Sequence, residues 1–394
     1  MPHRLRHGLA VESTREEESR QDFVTGMRRY VLGDLASHMK SIYENKVKIN
    51  YQRKHGFIPQ DGPAIHKEMR KETLFKFYSS IRNSTQEMVW RSVLPSISRS
   101  DKELASKVSN CNQGMDSIHV DPKLEIPKYI SSLDVHMMPG CYDTERYDGD
   151  VAQGALYDNG LSVFLMGFLG PEMDDTGRSV SQFISKRYPD FRPEKMLDIG
   201  ATIGFNTLPW LETWPDLEIH AIDPALPNVN YGHARCKEMG KPINFHQMDG
   251  TKLNFDDNSF DIVWSAMVLH ELPKNKVSKV FSESKRVLKP GGLMIHMELP
   301  LNSIVEPYEQ FYLDWDSYYN KEPFYKSFRD SDVRQMVLNA GFRHENYFQY
   351  IIPSHFNHGA DAVTLAARDS QATSTKNIGK LQDGINWFTF GAWK

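Results

Sequence analysis

The chain has 394 residues, of which 40% are apolar and 25% are charged. At roughly 150 residues per domain this length allows two to three domains, and the balance of residue types excludes a disordered, collagen-like or coiled-coil chain. The formal net charge of −4 offers no basic surface, so neither a nucleic acid nor an anionic membrane is expected as a partner.

Cysteine content and apolar stretches indicate the compartment. Cys111, Cys141 and Cys236 lie far apart and form no C-x-x-C pair, which fits a reducing compartment and predicts neither a disulfide framework nor a cysteine zinc site. The longest nearly uncharged apolar stretch, Leu161–Gly170, is too short to span a bilayer core of about 30 Å. The first twenty residues show no apolar region of a secretory signal. A cytoplasmic location is therefore expected.

The first 125 residues are predicted to form a helical domain that covers a substrate or forms a dimer. Apolar residues recur there at three-to-four spacing, as in Phe23, Met27 and Tyr30 and again in Leu32 and Leu35, which is typical of helices. Residues 126–190 are predicted as a linker and lid, because Pro, Gly and Asp dominate their beginning. Residues 369–394 are predicted as a polar tail that ends in an aromatic anchor, Trp387–Trp393.

Between residues 191 and 368 short strand patterns alternate regularly with helix-length segments. This alternation predicts a doubly wound α/β core with a mostly parallel sheet and helices on both faces. Such a sheet binds ligands beyond the carboxyl ends of its strands. The predicted strands are Lys195–Gly200, Leu217–Asp223, Ile243–Asp249, Phe260–Ser265 and Gly292–Glu298.

The predicted strands end in glycines and acids. Gly200 and Gly204 follow the first strand, where glycine permits a tight turn and a close approach of a ligand to main-chain N–H groups. Asp223 ends the second strand, where a carboxylate can accept hydrogen bonds from both hydroxyls of a ribose. Asp249, before Gly250, can accept one from an adenine amino group. Together these features are more specific than a lone glycine motif.

Residues 193–300 resemble the core of the class I S-adenosylmethionine-dependent methyltransferases, through LDIGATIG, AIDP, MDGTKLNFDDNSFDIVWS and RVLKPGG. The resemblance implies a Rossmann-like, seven-stranded sheet whose last hairpin falls at Gly341–Ile352 and Ala360–Ala367. It implies S-adenosylmethionine as the cofactor and Thr202 in place of the family's usual middle glycine. The implied cofactor-binding residues are Asp198, Gly200, Ala201, Thr202, Gly204, Phe205, Asp223, Asp249, Gly250 and Ser265.

A nicotinamide-dependent oxidoreductase is the rival interpretation of a glycine loop followed by a ribose acid. Its fingerprint is G-x-G-x-x-G around a pyrophosphate, whereas this chain has G-x-T-x-G preceded by Asp198. A carboxylate beside a pyrophosphate would be repulsive, while it suits an ammonium and a sulfonium group. The pattern therefore favours the sulfonium cofactor.

Three residues are candidates for catalysis. The resemblance places His270 near the substrate, and it is the first choice for a general base because an imidazole titrates nearest to neutral pH. Glu271 follows it, and His136 lies in the segment before the core. The alternatives are a capping histidine at His270 and a packed linker at His136. No metal is predicted, because no H-x-x-x-H or H-E-x-x-H spacing supports a site formed by His136, His270, Glu271, His296 and Glu298.

Aromatic residues are the candidates for substrate binding. Tyr142 and Tyr157 lie in the predicted lid, and the insertion at residues 301–328 has nine aromatics in 28 residues. Within it Tyr308, Tyr312 and Trp315 share a helical face. They form either a packing stripe against the N-terminal helices or a substrate wall that excludes water.

The sequence thus predicts an enzyme that transfers a methyl group to a small organic molecule by in-line displacement. Oxygen, carbon, nitrogen and sulfur acceptors all stay open. The expected partner is the small-molecule substrate, and a homodimer is left open. The alternative from another class is a catalytically silent protein that binds S-adenosylmethionine.

Overall fold

A computed structural model of the chain describes residues 7–369 and 376–394. The N-terminal region is helical, as predicted. Thr14 caps the first helix reciprocally with Glu17, and Gly56 ends the third with a φ of 83°, a value that glycine adopts readily. Two π-helical segments, Val31–Leu35 and Tyr43–Val47, join the first three helices. The helices are α1 (Arg15–Tyr30), α2 (Ala36–Ile42), α3 (Lys48–His55), α4 (Gly62–Met69) and α5 (Thr73–Asn112).

The following segment leads from these helices to the sheet. It contains the short strand β1 (Ile118–His119) and the helices α6 (Lys128–Ser131), α7 (Ala152–Phe164) and α8 (Asp175–Arg187). Apolar side chains of α5 and α7 share one continuous core with the sheet, for example Trp90, Leu156 and Met196. Because this core extends across the segments, it does not test the predicted domain boundaries at 125, 190 and 368, which stay predictions.

A mostly parallel sheet with helices on both faces forms the centre of the molecule, which confirms the doubly wound α/β fold. All five predicted strands are present. The strands are β2 (Lys195–Ile199), β3 (Glu218–Asp223), β4 (Asn244–Gln247), β5 (Phe260–Ala266), β6 (Leu288–Glu298), β7 (Tyr347–Pro353) and β8 (Asn386–Trp393). Their order is β1-β4-β3-β2-β5-β6-β8-β7, and β8 runs antiparallel to both of its neighbours. Within the described ranges the sheet has eight strands where seven were predicted, because β1 adds to β4 at the edge.

Helices alternate with these strands. They are α9 (Leu208–Thr213), α10 (Leu226–Glu238), α11 (Lys274–Val287), α12 (Pro307–Tyr319), α13 (Tyr325–Arg329), α14 (Val333–Asn339), α15 (His355–His358) and α16 (Ala360–Arg368). In the part of the chain that is described, no helix is both long and apolar enough to cross a membrane.

The predicted last strand is wrong. Ala360–Ala367 lies in α16, where Val363, Ala366 and Ala367 bury one helical face. The strand that pairs with β7 comes from the predicted tail instead, since β8 carries the aromatic anchor. Both faces of β8 are buried, as expected for a strand between two others in a covered sheet. Residues 370–375 of the predicted tail lie outside the described residues.

Candidate active site

One cavity begins at the carboxyl ends of the central strands and continues beneath the helices. We call its two parts the sheet end and the helical end. The sheet end is formed by Ile199, Gly200, Thr202, Asp223 and 248–251. The helical end is formed by side chains of α1, α5, α7, α12 and the segment before β8, among them Arg28, Arg82, Phe164, Tyr312 and Leu381.

The loop after β2 forms one wall of the sheet end. Gly200 has a φ of 71°, and a Cβ atom there would lie 2.7 Å from a Val268 methyl group. Only glycine fits both the left-handed backbone and this close approach. Thr202 is also left-handed, with a φ of 53°. Both residues line the cavity. Their main-chain N–H groups bond within the protein, that of Gly200 to the carbonyl of Ile222 at 2.9 Å and that of Thr202 to Asp223 at 3.1 Å.

Asp223, at the end of β3, lies in the wall of the sheet end. One carboxylate oxygen accepts a hydrogen bond from the main-chain N–H of Thr202 at 3.1 Å, and the other accepts one from Ala225 at 2.9 Å. Burial raises the pKa of Asp223 to about 6. The carboxylate is thus held in place by the backbone and retains lone pairs for a ligand.

Asp249 and Gly250, after β4, line the same end. Asp249 accepts a hydrogen bond from the N–H of Thr251 at 2.8 Å. A Cβ atom on Gly250 would lie 2.7 Å from a methyl group of Ile199. With Met248 these residues form an apolar slot beside a fixed carboxylate.

The other five predicted cofactor-binding residues do not line the cavity. Asp198 is buried beneath the loop, where it accepts a hydrogen bond from the Thr207 hydroxyl at 2.5 Å, and burial raises its pKa to about 7. Ser265 bonds to His296 Nδ1 at 2.7 Å. Both side chains are thus satisfied within the protein, which favours a structural role. The remaining three are Ala201, Gly204, whose Cβ would face the Cys236 sulfur, and Phe205, which packs against Arg235.

His270 lies in the cavity wall, paired with a buried glutamate from β6. Its Nδ1 is 2.6 Å from Glu298 Oε2, while Glu298 Oε1 accepts hydrogen bonds from the N–H groups of Val268 and Leu269. Burial alone would lower the pKa of His270, but Glu298 raises it to about 9. Glu298 therefore fixes the loop after β5 and keeps the imidazole protonated at neutral pH.

His136 lies in the same wall. Its Nε2 lies 3.0 Å from Glu271 Oε1, and its Nδ1 lies 3.3 Å from Glu322 Oε1. Burial alone would lower the pKa of His136, but the two carboxylates raise it to about 10. Burial would raise the pKa of Glu271, yet His136 lowers it below its usual range. At neutral pH the imidazole therefore carries a proton and Glu271 does not.

Backbone contacts hold His136 in an uncommon conformation. Its φ is 56°, in the left-handed region that is rare outside glycine. Its carbonyl oxygen accepts hydrogen bonds from Gln86 Nε2 at 2.7 Å and from Trp90 Nε1 at 2.8 Å. The long helix α5 thus positions an imidazole that lies about fifty residues away in the chain. Local strain that the surroundings hold in place is typical of functional sites.

Three of the five predicted substrate-binding aromatics line the cavity: Tyr142, Tyr157 and Tyr312. The other two do not. Trp315 stacks on Tyr78 at a ring distance of 4.4 Å and donates to the Ser79 hydroxyl, and Tyr308 packs on Tyr43 at 4.9 Å. These two side chains therefore pack against the N-terminal helices, as the alternative interpretation proposed.

Several polar residues of the cavity wall or its support were not predicted from the sequence, among them Glu298, Glu322, Arg28 and Arg82. Glu298 ends a predicted strand and could have been found from that position. Glu322, Arg28 and Arg82 carry no such signal, because they reach the cavity from elements far apart in the chain. Over the described ranges, no group of three or more His, Cys, Asp or Glu side chains has the geometry of a metal site.

Comparison with known proteins gives one family match, to the methyltransferase domain, over residues 197–296. A malonyl-[acyl-carrier protein] O-methyltransferase of Nitrosospira multiformis is 26% identical over 39% of this chain and 53% of that protein. Phosphoethanolamine N-methyltransferase 2 of Caenorhabditis elegans is 32% identical over 28% of this chain and 25% of that protein. A demethylmenaquinone methyltransferase of Bacteroides fragilis is 32% identical over 28% of this chain and 44% of that protein. The chain thus spans about half the length of these curated relatives, or less.

Solved structures are also similar in part. Phosphoethanolamine N-methyltransferase 2 of Haemonchus contortus, in complex with phosphomonomethylethanolamine and S-adenosylhomocysteine, aligns with 60% of this chain and 59% of its own. The sequence identity is 19% and the TM-score is 0.41. An O-methyltransferase family protein from Burkholderia thailandensis aligns with 62% of this chain over 60% of its own length, with 15% identity and a TM-score of 0.40.

Proposed function

We propose that the chain transfers a methyl group from S-adenosylmethionine to a small organic acceptor, since residues 197–296 match the methyltransferase domain. The observation that supports this proposal is the single cavity. Its sheet end carries fixed carboxylates, and its helical end is enclosed by side chains from distant elements. Such a cavity holds two small molecules in contact and keeps water away from them.

The sheet end fits the proposed cofactor. Asp223 presents a buried carboxylate for ribose hydroxyls, and Asp249 lies beside the apolar slot, where an adenine ring would fit. Gly200 and Gly250 lie in the wall of this end where a Cβ would collide with Val268 and Ile199, so glycine is required at both positions. Among the described residues that form this end there is no Arg or Lys, so a cationic cofactor is favoured over a dinucleotide with its pyrophosphate.

When bound, the cofactor supplies an electrophilic methyl group on a sulfonium. The chain's own residues then have three tasks: to align the acceptor, to exclude water and to take up a proton if the acceptor carries one. Tyr142 and Tyr157 line the cavity with partly buried rings. The helices α5, α7 and α12 supply the walls of the helical end.

We propose that Glu271 is the residue that accepts the proton. The sequence predicted His270 for this role, and that prediction is untested. A general base must be unprotonated at the working pH and must face the substrate. His136 and His270 both hold protons at neutral pH because carboxylates raise their pKa values to about 10 and about 9. Glu271 faces the cavity between them, 3.0 Å from His136 Nε2 and 3.8 Å from His270 Nε2.

Calorimetric titration with S-adenosylmethionine and S-adenosylhomocysteine, beside a screen for cofactor turnover against metabolite pools, tests the proposed function. Saturable binding of both molecules together with turnover is expected. Binding without turnover across broad pools would instead support a silent cofactor-binding protein. If neither molecule binds, the proposal is wrong.

Glu271→Gln tests the assignment of the base once an acceptor that loses a proton is found. The amide cannot accept that proton, so kcat is expected to fall by about 10² to 10⁴, with little change in cofactor affinity. Steady-state kinetics and calorimetry measure the two quantities, and exposed Glu345→Gln is the matched control. An unchanged kcat would remove Glu271 as the base.

A further inference from the structure

Two arginines lie at the helical end of the cavity, one on α1 and one on α5. Arg28 and Arg82 are each 1% exposed and both line the cavity. They share one acceptor, the side-chain oxygen of Gln86, at 2.7 and 2.9 Å. Two guanidinium groups are thus held side by side where the substrate is expected.

The charges of this pair do not balance. Arg82 Nε donates to Asp316 at 2.7 Å. Arg28 donates to the carbonyl of Phe164 at 2.9 Å and lies 4.8 Å from the centre of that ring. No carboxylate oxygen of any described residue lies within 4.0 Å of the Arg28 guanidinium. One positive charge is therefore buried without a counter-charge.

An isolated buried charge is unfavourable by several kcal/mol unless it is paired. Burial, together with the charge on Arg82, lowers the pKa of Arg28 to about 9. The other cations at this end have partners: Lys380 pairs with Glu309, and His136 lies between Glu271 and Glu322. Arg28 is thus the cation of the cavity wall to which a ligand anion would bring the greatest gain.

The lining of the cavity that holds the arginines is mainly apolar. Its apolar side chains include Leu32, Leu161, Phe164, Leu165, Leu169 and Trp387, and the same lining also contains polar side chains such as Asp316 and Glu322. Apolar walls with few polar groups fix the orientation of a ligand through those groups. A ligand that fits here has an apolar body and a single anionic group.

We propose that the methyl acceptor is a predominantly apolar molecule with a carboxylate group that binds Arg28 beside Arg82. A carboxylate matches the one uncompensated charge and can accept two parallel hydrogen bonds from a guanidinium. Gln86 also donates to the carbonyl of His136 at 2.7 Å. The carboxylate site and the segment that contacts Glu271 are therefore connected through one side chain. This inference rests on the proposed function.

Matched pairs of probes test the inference in the full chain. Octanoate and 3-phenylpropionate, each beside its primary amide, are titrated calorimetrically into the protein saturated with S-adenosylhomocysteine. At least one acid is expected to bind about ten-fold or more tightly than its amide, because the amide cannot pair with the charge. Arg28→Gln is expected to remove this preference, and Arg28→Lys to retain part of it.

Arg29→Gln is the matched control, since Arg29 is the exposed neighbour on the same helix and donates to the carbonyl of Met166. It should leave the preference unchanged. The comparison of acid with amide in the unmodified protein stands even if Arg28→Gln does not fold.

Four outcomes would overturn the inference. They are equal binding of acid and amide, no saturable binding of either acid, a preference that persists in Arg28→Gln, and tighter binding of octyl phosphate than of octanoate. In each of them the proposed function stands as long as S-adenosylhomocysteine binds. Failure of S-adenosylhomocysteine to bind would overturn the proposed function itself.

Discussion

The two ends of the cavity are built in different ways. The sheet end comes from some fifty consecutive residues, in which each strand places its last side chains at the same edge. The helical end comes from α1, α5, α7, α12 and the segment before β8, which meet only in the folded molecule. Chemistry that follows the strand order can be predicted along the chain, and chemistry that depends on helix packing cannot.

The ends also differ in their charges. Asp223 at the sheet end is held by main-chain N–H groups and has a raised pKa of about 6. In the rest of the cavity wall Glu271 and Glu322 lie in ion pairs, and His136 and His270 have raised pKa values. The sheet end thus offers negative charge to a cofactor, whereas the rest of the wall has preset proton positions. The following predictions test this division.

The largest effect is expected outside the sheet end, in the contribution of the His270–Glu298 pair to stability. A histidine whose pKa rises from 6.5 to about 9 on folding stabilises the folded state fully below about pH 6.5. This contribution is lost as the pH rises through 9. The difference in free energy of unfolding between the unmodified protein and His270→Gln should therefore be largest at pH 6, on the order of 3 kcal/mol.

Urea unfolding at pH 6, 7.5 and 9 measures this difference, which should shrink steadily toward pH 9. Exposed His344→Gln serves as the control. A difference that is independent of pH would show that His270 is not protonated on folding, and Glu271 would then lose its advantage as the proposed base.

A somewhat smaller effect, on cofactor affinity, is expected at the sheet end. Asp223→Asn removes the charge and keeps the shape, so affinity for S-adenosylmethionine should fall by about 10 to 100-fold through the loss of charge-assisted hydrogen bonds. In the unmodified protein the affinity should also decrease as the pH falls through about 6, where Asp223 gains a proton. The asparagine variant should lack that decrease.

Calorimetry from pH 5 to 8 checks both statements, with exposed Asp216→Asn as the control. The octanoate affinity in the presence of saturating S-adenosylhomocysteine should stay the same. Unchanged cofactor affinity would contradict the assignment of Asp223, and a parallel loss of octanoate affinity would contradict the division of the cavity into two ends.

Most of the sheet could be predicted because its strands are short apolar runs in a regular alternation with helices. The error at the last hairpin has a physical cause. A short apolar run such as Ala360–Ala367 suits a buried strand and a buried helical face equally well. The true partner, β8, lies beyond a polar stretch, and only the folded sheet pairs it with β6 and β7.

Residues of the candidate site could be predicted where their position depends on the nearby sequence, and could not where it depends on packing between distant helices. Gly200, Asp223 and Asp249 were found because a strand-end position is visible in the sequence. Arg28 could not be found in this way, since a helical arginine is usually exposed and its burial depends on α5 and α7. Trp315 was misplaced for the same reason, because helical spacing does not show which neighbour the aromatic face meets.

The smallest effect is expected at Thr202, the position where this chain departs from the usual glycine. Its left-handed φ of 53° is unfavourable by roughly 1–2 kcal/mol for a residue with a Cβ. Glycine would relieve this strain but would make the unfolded chain more flexible by about 0.5–1 kcal/mol. Thr202→Gly should therefore raise the free energy of unfolding by about 1 kcal/mol or less.

Cofactor affinity should change by less than about three-fold in this variant, because the main-chain N–H that bonds to Asp223 is retained. Gly200→Ala is the opposing control, since its Cβ would meet Val268 at 2.7 Å and should lower both stability and affinity. A loss of more than ten-fold in Thr202→Gly would show that the threonine side chain itself contacts the cofactor. The sheet end would then depend on a side chain that strand order alone does not predict.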